Sequence, residues 1–205
     1  LIKNQFSVVS SGTEIAAIEN ANKGVTEKLQ NSSNIEKGIE LLKNEGVKAL
    51  WNAVFPQNIS PLQLGYSSAG EVIEVGKGVV DFHVGDIVAS NGSHAEYVVV
   101  NENLCTRVPD NVDVKEAAFT TLGSIALHGV RLSETTLGSK VAVIGLGVVG
   151  QLVVRLLEAQ GSQVIGIDPD SNRSNNHKSY YSSTEDIDQN SFDSIIITAA
   201  TSSNE

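Results

Sequence analysis

Between Lys140 and Ile167 the sequence allows few structures. Residues 141–144 form a continuous apolar run, the pattern of a strand buried on both faces of a parallel sheet. Residues 148–160 carry an apolar stripe at Val149, Leu152, Val153, Leu156 and Leu157, which predicts a helix. Gly161 stands where a left-handed C-terminal cap is expected. Residues 164–167 predict a second strand and residues 195–198 a later one. A helix linking two such strands is a parallel crossover unit, so this part should be a doubly wound α/β domain.

The turn between the first strand and the helix reads Gly145-Leu146-Gly147-Val148-Val149-Gly150. Three glycines at that spacing are a weak signal alone and a stronger one between a strand and a helix. Gly145 permits a tight turn, Gly147 lets the backbone approach a pyrophosphate, and Gly150 lets helix and strand pack closely. The unpaired N–H groups and positive end of the helix then face the phosphates. Asp168, 23 positions after Gly145 and at the end of the second strand, fits an acid that accepts hydrogen bonds from ribose hydroxyls. A carboxylate there repels a 2′-phosphate, so NAD is expected over NADP. Thr198 and Ala199, at the end of the later strand, and Thr121 join the cofactor-binding candidates with Leu146, Val148 and Val149.

The rest of the chain has other textures. Residues 2–10 read as a strand and Ser11-Gly12-Thr13-Glu14 as the turn after it. Residues 26–51 have mixed helical spacing, with Gly38 and Gly46 as interruptions, and predict one or two short helices. Residues 69–100 are Val/Ile-rich strands punctuated by glycines, the texture of a small antiparallel barrel. Residues 114–132 read as helical. The interval between Asp168 and Phe192 is polar and Ser/Asn-rich, where a doubly wound domain normally holds a helix, a strand and another helix.

Composition narrows the partners. The formal charge of −10, without any Lys/Arg cluster, argues against nucleic acid, which needs a concentrated basic face. No apolar run approaches the roughly 20 residues that span a bilayer. The single Cys105 cannot form an internal disulfide or a multi-Cys metal site, and a reducing cytoplasm is the expected compartment. His83, His94, His128 and His177 show no ligand spacing. The chain contains no Met and stops after an apolar strand that belongs mid-sheet, so it is expected to be a fragment.

Several further motifs occur in one order: Leu64-Gly65-Tyr66-Ser67-Ser68-Ala69-Gly70-Glu71-Val72, then Val75-Gly76, Val84-Gly85-Asp86 and His94-Ala95-Glu96-Tyr97-Val98. With the nucleotide-binding pattern they resemble the medium-chain dehydrogenase/reductase family, the zinc-type alcohol dehydrogenases. The resemblance covers nearly the whole chain. It implies a GroES-like β-barrel over residues 1–115, with a helical insertion at about 22–52, followed by a truncated NAD-binding Rossmann domain over 116–205. The substrate cleft would lie between them.

In the family's zinc-dependent members the metal is held by a Cys, a His and a later Cys or acid. The matching positions here are Ser11 (or Ser10), Tyr66 and Thr121, so no zinc is expected. The resemblance puts Thr13 at a proton-relay position with Glu14 beside it, and Tyr66 and Ser67 at the vacated metal site; these four are the catalytic candidates. Ser11-Gly12-Thr13-Glu14, the insertion and residues 117–131 resemble zinc-lacking dehydrogenases of bacterial polysaccharide clusters. In those a Gfo/Idh/MocA-type sugar oxidoreductase domain often follows, and a homodimer is usual for the family. The expected activity is zinc-independent, NAD-linked hydride transfer to or from a carbonyl or alcohol of a small molecule, including sugars. A catalytically silent NAD-binding module and a quinone or enoyl reductase are the alternatives.

Overall fold

The computed structural model describes residues 1–22, 63–173, 179–187 and 191–199. The helices expected at 26–51 lie outside the described residues. Two compact units are distinguished, one comprising Leu1–Gly12 with Leu64–Glu205 and the other Thr13–Gln63.

The first unit contains two sheets. Strands β1 (Ile2–Ser7), β2 (Ser68–Val72), β3 (Ile87–Ser90), β4 (Tyr97–Val98) and β5 (Cys105–Arg107) form an antiparallel sheet in the order β4-β1-β2-β3-β5. Ile2 pairs with Val72 on one side and Val98 on the other, and these three close a small core with Val88. A register shift between Asn4 and Phe6 bends β1 across β2. This is the region expected to be a barrel.

Helices α2 (Val114–Ala117) and α3 (Thr120–Leu132) follow. They occupy the stretch expected to be helical, 114–132, with a joint at residues 118–119. Asp113 caps α2 by accepting from the Lys115 amide at 2.7 Å. The ladder tightens at the joint, where Phe119 N bonds Glu116 O at 3.0 Å and the Thr120 hydroxyl takes Ala117 O at 2.7 Å. Ala117 and Ala118 pack on Ala69 and Ala89, small residues that let α2 lie close to the sheet.

Strands β6 (Lys140–Ile144), β7 (Gln163–Ile167), β8 (Tyr180–Tyr181) and β9 (Ser194–Ile197) form a parallel sheet in the order β8-β7-β6-β9. Helix α4 (Val148–Gln160) crosses from β6 to β7 and ends at Gly161, whose φ of 87° is the left-handed cap that the sequence calls for. The core joins Val141, Val143, Leu146, Val153, Val154 and Leu157 to Ala126 and Val130 of α3. The inward face of α4 is turned slightly from the expected stripe. Val154 is buried, whereas Val149, Leu152 and Leu156 are only partly so.

Two local expectations are corrected. Residues 11–14 are not a turn but the start of α1 (Ser11–Asn22), because Glu14, Ala16 and Ala17 favour helix once β1 has ended at Ser7. Within the polar interval, β8 pairs Tyr180 with Gly166 and Tyr181 with Ile167, a strand too short for periodicity to reveal. Among the described residues of that interval the only other elements are the 3-10 turns Ser171–Arg173 and Thr184–Asp186. No helix among the described residues is long and apolar enough to cross a membrane.

Candidate dinucleotide site

Gly145 leaves β6 with φ of 92°, a left-handed conformation that a side chain would strain. A Cβ there would also lie 2.7 Å from the Ala199 amide nitrogen. The Thr198 hydroxyl donates to Gly145 O at 2.6 Å, so the end of β9 clamps the turn. Gly150 sits in the first turn of α4, where a Cβ would overlap Gly145 O and approach Thr198 Oγ1 to 2.7 Å. These contacts draw Gly145, Gly150, Thr198 and Ala199 together.

Gly147 is the opposite case. It is the N-cap of α4, no side chain caps the helix there, and a Cβ would meet nothing within 4 Å. The first amides of a helix have no partner inside it. An open space before uncapped amides, at the positive end of a 13-residue helix, is an arrangement that can receive an anion.

Asp168 closes the arrangement. Its carboxylate is buried and accepts from Leu146 N at 2.7 Å and Asp170 N at 2.9 Å, with Arg173 Nη1 at 3.3 Å. Burial pushes the carboxyl up, but the two amides and the guanidinium together outweigh it and hold the group below the ordinary carboxylate range. The Tyr180 hydroxyl donates to Asp168 O, and burial with the nearby Asp168 and Asp170 raises the phenol. The acid is thus ionised and fixed to the middle of the glycine turn. Arg173 was not picked out from sequence; the available signal was a lone base five positions after the acid.

The catalytic candidates are placed differently. Tyr66 is half-buried, and no hydrogen bond to its hydroxyl is present among the described residues. The Ser67 hydroxyl is buried and donates to Ala118 O at 2.6 Å, tying β2 to the joint between α2 and α3. Thr121 donates to Ser90 O at 3.3 Å. Thr13 and Glu14 belong to the second compact unit. Among the described residues no three His, Cys, Asp or Glu side chains gather as a metal site would require.

An antiparallel sheet thus leads into a parallel sheet whose first turn is an open glycine turn. Residues 42–110 match the alcohol dehydrogenase GroES-like domain. Residues 114–205 match the NAD binding domain of D-isomer specific 2-hydroxyacid dehydrogenases. The chain is 31% identical over 130 residues to (R,R)-butanediol dehydrogenase of Bacillus subtilis (strain 168), covering 50% of this chain and 38% of that protein. It is 36% identical over 115 residues to D-guloside 3-dehydrogenase of Escherichia coli (strain K12), covering 54% and 33%. The crystal structure of 2R,3R-butanediol dehydrogenase from Bacillus subtilis superposes with a TM-score of 0.51 at 29% identity, covering 57% of this chain and 42% of that one. The chain is thus similar to an alcohol dehydrogenase GroES-like domain over residues 42–110 and to an NAD binding domain over residues 114–205, and the two curated relatives are named as dehydrogenases. It spans well under half the length of the two curated relatives.

Proposed function

We propose that the chain is part of a zinc-independent, NAD-linked oxidoreductase that moves hydride between C4 of a nicotinamide and a carbonyl or alcohol carbon. The supporting observation is the open N-terminus of α4 at Gly147, with an ionised Asp168 bonded to Leu146 N. The bound nicotinamide would supply the hydride acceptor or donor. The amides at Gly147, Val148 and Val149 would hold the diphosphate, while Asp168 would accept ribose hydroxyls and disfavour a 2′-phosphate. Residues 1–115 would then form the substrate domain and 116–205 the nucleotide-binding domain.

Hydroxyls at Ser11 (or Ser10), Tyr66 and Thr121 are poor zinc donors, and Thr121 already bonds a backbone carbonyl. The donor set does not fit the metal. Without a Lewis acid, the charge on the substrate oxygen must be met by a hydrogen-bond donor or proton relay. Tyr66 is the candidate for that role in the first unit, with Ser67 positioning the segment that carries it; Thr13, with Glu14 beside it, is a separate relay candidate in the second. Relatives named for a butanediol and a guloside support an alcohol or carbonyl substrate, and the proposal extends this to a sugar derivative of polysaccharide biosynthesis. A cytoplasmic homodimer, with a sugar-oxidoreductase domain fused in the parent protein, completes the proposal.

Elemental analysis of the purified protein should find no stoichiometric zinc. Thr13→Val and Tyr66→Phe should each lower kcat about a hundred-fold, the usual size of a lost proton relay, and leave NADH affinity unchanged. Turnover unaffected by both changes would remove the relay and favour a silent nucleotide-binding module.

A further inference from the structure

The polar stretch after β7 holds a cation that the cofactor reading leaves unused. Arg173 Nη1 lies 3.3 Å from Asp168 Oδ2 and its Nε 3.4 Å from Asp170 Oδ2, with 47% of the side chain exposed. The backbone fixes its place. Asn172 N donates to Asp170 Oδ1 at 3.0 Å and Arg173 N to Asp170 O at 3.0 Å, winding Ser171–Arg173 into a 3-10 turn.

A half-exposed ion pair contributes little to stability. Its consequence lies in the potential at Asp168. An acid at the end of this strand accepts ribose hydroxyls and repels a 2′-phosphate, whereas an arginine nearby accommodates that phosphate. Here both groups are present and in contact. Guanidinium suits the task because its planar fork matches phosphate oxygens and it is always charged.

We propose that Arg173 determines cofactor selectivity: it keeps a positive charge beside Asp168, so NADPH binds with only a modest penalty relative to NADH. Asp168 sets the sign of the preference and Arg173 limits its size. This rests on the dinucleotide reading above.

The test is a fluorescence titration of NADH and NADPH into the full chain, Arg173→Gln and Arg173→Lys, with melting curves to verify folding. In the unaltered protein the two dissociation constants should lie within about ten-fold of each other. Arg173→Gln should weaken NADPH by about ten-fold, the worth of one charge-assisted contact, and NADH by less than about three-fold. Arg173→Lys should retain most of the NADPH binding. Equal loss for both nucleotides, or an NADPH/NADH ratio unmoved by Arg173→Gln while NADH still binds, removes Arg173 from selectivity alone. Failure of the unaltered protein to bind either nucleotide removes the dinucleotide reading and this inference with it.

Discussion

Gly147→Val should leave the fold standing and weaken NADH binding about a hundred-fold, as expected when two charge-assisted contacts to the diphosphate are lost. Gly147 has φ of −66° and ψ of −170°, a conformation open to any residue. A Cβ there meets nothing within 4 Å, so the protein itself gives no reason for a glycine. The cost to stability should stay within about 1 kcal/mol, the usual price of a poor N-cap. A ligand's close approach does give a reason. Unaltered NADH affinity, measured by titration beside a normal melting curve, would show that nothing occupies that space.

Gly150→Val should do the reverse, unfolding the nucleotide-binding half at a lower temperature before any ligand is considered. The new Cβ would overlap Gly145 O and crowd Thr198 Oγ1, and the first of these is a backbone atom fixed by the turn. Removing a glycine from a helix gains at most about 1 kcal/mol in propensity. Overpacking against atoms that cannot yield costs about 3 kcal/mol, so the clash wins. For a chain of this size the net should lower Tm by roughly 5–8 °C. A melting temperature equal to the parent's would mean that α4 and β6 are not packed as described. The two glycines stand three positions apart, and the pair separates a ligand's demand from the fold's.

The nucleotide-binding half was readable because each signal there is local. Its strand, turn, helix and cap obey separate rules that agree, and α4 begins and ends where its pattern and Gly161 predict. The partnership of Asp168 with Leu146 N was readable only in outline. Sequence placed the acid at the end of the strand, but not the bond that fixes it to the turn.

Elsewhere the governing contacts are long-range. The start of α1 looked like a turn because Ser11 and Gly12 are turn residues, while the helix is decided by the Ala16-Ala17 segment after them. The break between α2 and α3 depends on Ala117 and Ala118 meeting Ala69 and Ala89, residues far away in the chain. Strand β8 has two residues and is specified by its pairing with β7 alone. Ser67 was singled out for chemistry, yet its hydroxyl is bonded to Ala118 O, a partner no spacing rule could supply. Arg173 was overlooked because its meaning arises only beside Asp168.

The central claim is that uncapped amides at the start of α4 receive a dinucleotide's diphosphate. Amide resonances of the ¹⁵N-labelled protein, followed while NADH is added, test it most directly. The account predicts the largest, saturable shifts at Gly147, Val148 and Val149, with Leu146 and Asp170 moving as the ribose reaches Asp168. Saturable shifts that bypass those amides, or none at all in a folded protein, would contradict it.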